Sequence, residues 1–540
     1  MNVALPQPAP SADPGAVVPP APRATAEQAF RLRKDLEASG WGVDAVAHLL
    51  GEVGDAALRR EVRLPALRAL RAAMDEDRAA GARPSPPAVL TALFMLGEPV
   101  LAAELDHVLS RTRTRGAAAT GLVSPPDTNG RVRALVDLRP HEARDDTGQV
   151  RWWVASDLGE MVTGRELAPG HVLGIGGAGL TLAGLVPRTP VGTALDLGCG
   201  CGIQTLYLLR HAEHVTATDV SRRALDFTAF NVALAGQEER VELAAGSLLE
   251  PVAGRRFDLV VSNPPFVLTP AAVREAGLAL MEYRDAGEDV LPGLVAGLGA
   301  HLQAGGTAVL LGNWEHHQGR DWRRDVADWL PEEADAWVVE REQQDPVSYA
   351  AMWLRDGGVA PERAPEAFDA AVGAWVGDFE ERGVEGVGFG YLVLHRPQAP
   401  RRPWRVLEEV TTAVEAPLGP HVAQVLEAQD LLAGLDDDAV ATLHPVLAAD
   451  VTEERHLVPG AAEPSVIMLR QGGGLGRAVP VSTAVAALAG AADGELSVAQ
   501  VAQAVAVLTG AGTAADAVAV RAELVAGVRE LARCGFLTFG

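Results

Sequence analysis

Cysteine, lysine and aromatic residues are all scarce in this 540-residue chain, and each shortage removes a class of protein. Of the three cysteines, Cys199 and Cys201 sit among glycines and Cys534 lies far away, so no disulfide scaffold is expected. A tetrahedral metal site would need further Cys or His ligands at close spacing, and none follows the Cys199-x-Cys201 pair, so no metal is expected there. Both read as small side chains that fit a tight turn. Lys34 is the only lysine, all other basic residues being arginine, and with abundant Ala, Gly and Pro this points to GC-rich coding, not to mechanism. Positive charge is also short overall. A formal net charge of -25 excludes diffuse attraction to nucleic acid phosphates, and binding of that kind would need a local basic face. Long apolar runs are missing too: no stretch reaches the roughly 18 residues of a membrane helix, and no basic start leads into an apolar run as in a signal peptide. A soluble, cytoplasmic protein with no membrane partner is expected.

What is present is apolar content, 48% of the chain, enough for about three or four domains. Residues 1–25 are dominated by Pro and Ala without hydrophobic period and read as a disordered tail. From Ala26 to about Ala80, Leu32, Leu36, Val46, Leu50, Leu67 and Leu70 recur at helical spacing. Arg59, Arg60, Arg63, Arg68 and Arg71 decorate this region, either as a substrate- or RNA-facing strip or as a solvated face neutralised by neighbouring acids. Helix-like runs at Val89–Leu96 and Val100–Leu109, then strands near Leu122 and at Val132–Leu138, make residues 26–150 a helical, winged-helix-like domain. Residues 401–540 read as a small α+β, winged-helix-like region, with helices at Ser497–Leu508 and Ala517–Leu531 and a last strand at Cys534–Phe539. Between them, residues 151–400 alternate apolar strands with amphipathic helices, the pattern of an α/β fold. Seven strands are expected: Thr193–Leu197, His214–Thr218, Arg240–Ala244, Phe257–Ser262, Thr307–Gly312, Ala336–Glu340 and Phe389–Leu394.

The chemistry gathers at three strand ends. After Thr193–Leu197, which contains Asp196, the glycines Gly198, Gly200 and Gly202 let the backbone turn sharply and approach a ligand. A dinucleotide loop of the G-x-G-x-x-G kind would need glycine where Ile203 stands. The next strand ends in Asp219, placed to accept hydrogen bonds from two ribose hydroxyls, and Ser221 is placed to cap the following helix. Ser247 follows the third strand, where an adenine contact would fall. Phe257–Ser262 delivers Asn263, Pro264, Pro265 and Phe266 to the carboxyl edge of the sheet. An amide or amino nitrogen is a poor nucleophile while its lone pair is delocalised. Accepting its two N–H groups on the Asn263 oxygen and the Pro264 carbonyl would raise its electron density, and Phe266 offers a flat face to stack on. Beyond the turn, Tyr283 and Arg284 are candidate substrate contacts. Gly174–Gly179 matches G-x-G-x-x-G without a preceding strand and reads either as a flexible lid or loop beside the ligand of the glycine turn, with Thr181 as a polar contact, or as a plain connecting loop. His316 and His317 read as exposed loop residues.

Asp196–Gly202, Asp219 and Asn263–Phe266 together resemble class I methyltransferases of the small-domain, Asn-Pro-Pro-aromatic type. Within these, the chain is similar to protein-glutamine N5-methyltransferases of translation release factors, in particular the compact eukaryotic and archaeal type, over roughly Leu167 to Leu394. The resemblance implies a seven-stranded Rossmann-like sheet, S-adenosylmethionine as cofactor, and an N-methyltransferase. It implies cofactor contacts at Asp196, Gly198, Gly200, Gly202 and Asp219, with Asn263 and Pro264 as the amide clamp. The departure is Ser247, which stands where such enzymes commonly place an acid. The acceptor stays open: acidity favours a protein such as a release factor, whereas the winged modules favour RNA, with methylation of adenine N6 or guanine N2. A small-molecule amine and a non-catalytic scaffold complete the range, and the intact Asn263 and glycine loop argue against the scaffold.

Overall fold

Apolar runs separated by helices build one sheet of eight strands in the computed structural model, which describes residues 18–145, 148–165, 167–168, 170–271, 273, 285–286, 290–414, 416–509 and 513–539. In chain order the strands are β1 (Val191–Leu197), β2 (Ala212–Asp219), β3 (Val241–Ala245), β4 (Phe257–Ser262), β5 (Leu302–His317), β6 (Asp335–Gln344), β7 (Val384–His395) and β8 (Arg405–Glu409). Their spatial order is β8-β6-β7-β5-β4-β1-β2-β3. All seven expected strands are there, and β8 adds an eighth at the edge. Pairings from β3 through β5 are parallel, whereas β7 runs antiparallel to β5. The chain winds from β1 outward to β3, then returns to β4 on the other side of β1. That reversal puts a crevice at the carboxyl ends of β1 and β4, where open α/β sheets bind ligands.

Two apolar clusters pack against this sheet. One contains Leu195, Leu197, Val260, Leu310, Leu392 and Trp314. The other gathers Val267, Tyr349, Trp375, Phe379 and Val387 around two helices, Pro346–Asp356 and Pro365–Arg382, inserted between β6 and β7. Each fully buried side chain of this size contributes about 1.5–3 kcal/mol.

The N-terminal region packs in the same compact unit. Helices Ala26–Ser39, Val43–Leu58 and Arg63–Ala79 fulfil the helical expectation. The first opens with a capping box: Thr25 Oγ1 accepts the Gln28 N–H and Gln28 Oε1 accepts the Thr25 N–H. The expected helix at Val89–Leu96 is a short helix, Pro86–Leu90, running into a π-helical turn, Thr91–Met95. Val100–Leu101 leaves the expected helix to pair with Arg131–Val132, and the helix itself is Ala102–Val108. Near Leu122 there is one bridge, Val123 to Ala134. A hairpin of Asp137–Asp145 with Gly148–Ser156 follows, and residue 150 lies inside its second strand. The arginine strip is a neutralised face for the most part: Arg63 and Arg71 both pair with Glu98, at 2.6 and 2.9 Å, and Arg59 pairs with Asp55 at 3.0 Å.

The second compact unit comprises residues 184–189, 339–341 and 408–540. It holds a three-stranded antiparallel sheet, Val451–His456, Val466–Gln471 and Ala478–Val481, and four longer helices, Gly419–Ala433, Thr483–Gly490, Val498–Leu508 and Ala514–Arg533. Its core includes Leu469, Leu488, Val498, Leu524, Val528 and Phe536. The final strand is Leu537–Phe539, shorter than expected because Gly535, at φ 74°, ends the preceding helix in the left-handed region.

Candidate active site at the carboxyl ends of the central strands

The loop after β1 is built to leave room. Gly198, Gly200 and Gly202 have φ of 78°, 55° and 81°, conformations that side chains resist. A Cβ on Gly198 or Gly200 would meet nothing within 4 Å, so both glycines face open space, whereas one on Gly202 would lie 2.9 Å from the Thr228 side chain. The loop is also fixed. The N–H groups of Gly198 and Cys199 donate to the Thr218 carbonyl at 2.9 Å, and Gly202 N–H donates to the Cys199 carbonyl at 2.7 Å. Burial pushes the Cys201 thiol up to about 11 and raises that of Cys199.

Asp219 closes β2 and braces this loop. One carboxylate oxygen accepts the Gly200 N–H at 3.0 Å and the other the Ser221 N–H at 2.8 Å. Each oxygen keeps a lone pair for a further donor, the provision that two neighbouring hydroxyls need. Burial raises the Asp219 pKa, and those backbone N–H groups oppose the rise. Ser221 Oγ accepts the Ala224 N–H at 3.2 Å, capping helix Arg222–Ala235 as expected. Ser247 is exposed in the loop after β3, one residue past Gly246, whose N–H donates to the Asp219 carbonyl at 3.1 Å.

Asp196 takes an inward position. It is 1% exposed, and its carboxylate accepts the Thr205 hydroxyl at 2.5 Å. Burial pushes its pKa up to about 7, with Asp219 adding to the rise and Thr205 restraining it. Its side chain therefore supports the loop from beneath.

On the facing strand, Ser262 Oγ donates to the Leu197 carbonyl at 2.8 Å, tying the end of β4 to the end of β1. Asn263 emerges exposed immediately beyond, while Pro264 is buried and Pro265 and Phe266 are half-buried. Among the described residues the Asn263 amide makes no hydrogen bond, so its oxygen is available to a donor from outside. Phe266 meets Trp353 edge to face, with centroids 6.1 Å apart and planes at 71°.

Other expectations come out differently. The glycine stretch Gly174–Gly179 is not a loop throughout, since helix Gly177–Leu185 begins inside it and ends before Pro187. Gln204 Nε2 donates to the Gly179 carbonyl at 2.6 Å, and Thr181 is exposed. His316 and His317 end β5 and are half-buried, because that strand stays paired with β7 as far as Val384, across an irregularity between the two histidines. Tyr283 and Arg284 lie outside the described residues.

Residues not singled out in the sequence also shape the site. Asn231, 1% exposed, accepts the Ala155 N–H at 2.8 Å and donates to the carbonyls of Ala155 at 2.8 Å and Cys201 at 2.7 Å. It thereby joins the hairpin to the glycine loop. Asp157 holds the Val172 N–H and pairs with Arg223 near the start of the helix that Ser221 caps. The signal for Asn231 was an amide on the apolar stripe of a helix, between Phe227, Phe230 and Leu234.

The family model of the methyltransferase small domain matches residues 177–286, from the helix before β1 to just past the Asn263–Phe266 turn. A domain of unknown function, DUF7059, matches residues 38–135. The release factor glutamine methyltransferase of Xylella fastidiosa (strain Temecula1) is 40% identical over 129 residues, 22% of this chain and 46% of that protein. The ribosomal protein uL3 glutamine methyltransferase of Bradyrhizobium diazoefficiens is 38% identical over 104 residues, 19% of this chain and 32% of that protein. The ribosomal RNA small subunit methyltransferase C of Alcanivorax borkumensis is 32% identical over 124 residues, 23% of this chain and 33% of that protein. The chain thus spans less than half the length of each of these relatives. The likeness to the methyltransferase small domain is confined to residues 177–286, which run from the helix before β1 through β1 to β4 of the eight-stranded sheet.

Proposed function

We propose that the protein transfers a methyl group from S-adenosylmethionine to a planar nitrogen, the side-chain amide of a protein glutamine, with a translation release factor as the leading acceptor. The observation that carries this reading is the exposed Asn263 amide at the end of β4, held next to the glycine loop by the Ser262 to Leu197 hydrogen bond. The residues fit the cofactor. Gly198 and Gly200 front open space, and Asp219 offers one free lone pair on each oxygen for a ribose diol. Ser247 stands near Asp219 where an adenine would be reached.

The cofactor when bound supplies a sulfonium methyl, which leaves a neutral thioether on transfer. The chain's part is to orient the acceptor. The Asn263 side-chain oxygen and the Pro264 carbonyl each accept one proton of the NH2 group, which turns its lone pair toward the methyl group. Were the cofactor bound, an acceptor held this way by Asn263 and Pro264 would be placed to take the methyl group from sulfur, which would keep the bonding electron pair, while the extra proton on nitrogen would leave to water. No strong base is required, and none of the described ionisable groups stands beside Asn263 in the hydrogen-bonding pattern. Phe266 supports the flat group from the side.

Glutamine is favoured by the net charge of -25 and by two relatives whose names specify glutamine. Methylation of an RNA base is the second reading, favoured by the similarity to ribosomal RNA small subunit methyltransferase C. Methyl-labelled S-adenosylmethionine incubated with the protein and cell lysate tests both. Label in protein supports the first reading, label in RNA the second, and no label defeats both.

A further inference from the structure

We propose that Tyr349 and Asn313 are positioning residues for the acceptor clamp, fixing the course of the chain as it leaves Asn263–Phe266. This rests on the methyl-transfer reading above. In the parallel pairing of β4 with β5, Leu310 lies opposite Ser262, so Asn313 runs on beside the segment that follows β4. Tyr349 comes from helix Pro346–Asp356, whose start is set by Asp345 accepting the Val347 and Ser348 N–H groups at 3.0 Å each. The tyrosine is fully buried, and its hydroxyl accepts the Leu268 N–H at 3.0 Å and the Asn313 amide at 2.8 Å.

A hydroxyl inside an apolar cluster is costly unless its hydrogen bonds are used. Here they are used on the backbone two residues past Phe266. The ring is held by Trp353, Trp375, Phe379 and Phe389, with centroids 5.7 to 6.1 Å away. Trp353 in turn meets Phe266. One helix therefore grips the turn twice, through the Leu268 backbone and through the Phe266 ring. Asn313 is 2% exposed, and its Oδ1 has no hydrogen-bond partner among the described residues, so the bond to the tyrosine orients its amide. Burial also raises the phenol pKa, which keeps the hydroxyl neutral. Clamps of this sort work only when held to about 0.5 Å, and an inserted helix pair that reaches the turn supplies that support.

The test compares Tyr349→Phe with Trp375→Phe, a change in the same aromatic cluster that touches neither Leu268 nor Asn313 through hydrogen bonds. Three quantities are read: the rate of label transfer from methyl-labelled S-adenosylmethionine into lysate, the calorimetric affinity for S-adenosylmethionine, and hydrogen exchange at the Leu268 amide. Tyr349→Phe is expected to slow transfer about tenfold or more and to speed Leu268 exchange, with cofactor affinity within about twofold. Trp375→Phe is expected to lower the melting temperature while keeping the transfer rate. Should Tyr349→Phe fail to fold, Asn313→Ala is expected to show the same split between rate and cofactor affinity in milder form. A folded Tyr349→Phe protein with near-normal transfer, or an equal loss of rate in Trp375→Phe, would overturn the positioning role. Absence of label with the unaltered protein would instead bring down the methyl-transfer reading, and this inference with it.

Discussion

At the scale of single residues, Asn263 and Asp219 carry separable tasks, and their variants should separate them. Asn263→Ala should reduce methyl transfer about a hundredfold or more, since a preorganised acceptor of this kind is worth about 2.7–4 kcal/mol. Cofactor affinity measured by calorimetry should stay within a few-fold. Asp219→Ala should do the opposite first, weakening S-adenosylmethionine binding by about tenfold or more as hydrogen bonds to a charged acceptor are lost. Asp219 must be ionised to accept two hydroxyls, so cofactor affinity should fall as pH drops through its raised pKa. Asp196 makes a different prediction. Its folded pKa of about 7 lies above its ordinary value near 4, so the folded state holds a proton that the unfolded chain has released. The stabilisation is full below pH 4 and is lost as pH rises toward 7. Asp196→Asn, which keeps an acceptor for Thr205, should remove this dependence and raise the melting temperature at pH 8 relative to the unaltered protein, with the difference shrinking as pH falls toward 4.

At the scale of elements, the glycine loop holds its shape because other elements brace it. Asn231 is the main brace from helix Arg222–Ala235, serving Ala155 and Cys201 at once. Asn231→Leu would leave one N–H and two carbonyls buried without partners, a loss of about 3 kcal/mol or more in a urea titration. Most strands from β1 to β7 were legible because buried strands read as apolar runs, and the motifs were legible because glycine and proline sit where the backbone demands them. The braces were not. Asn231 and Tyr349 look like ordinary helix residues until a distant backbone group is brought against them, and the edge strand β8 carries too few apolar residues to announce itself. The same limit explains Val100 and Leu101, whose helical spacing is overridden by pairing with Arg131 and Val132. Asp196 illustrates it in reverse: its place beside the glycines suggested a ligand contact, yet its side chain turns inward to Thr205.

At the scale of the whole molecule, the match to the methyltransferase small domain takes in a minor part of the chain, 177–286, and the match to DUF7059 another part, 38–135. With a pI near 4.9, transfer to a protein acceptor should change little between about 50 and 200 mM salt, whereas an acceptor held through six to ten phosphates would lose about a thousandfold or more in affinity over that range. The arginines around Glu98 do not alter this expectation, since their charge is largely matched locally. The most direct measurement is to label lysate with methyl-labelled S-adenosylmethionine and the purified protein, then divide the sample between ribonuclease and protease. The account predicts label that survives ribonuclease, is lost with protease, and maps to glutamine by mass spectrometry. Label lost with ribonuclease, or no label above that of the Asn263→Ala protein, would contradict it.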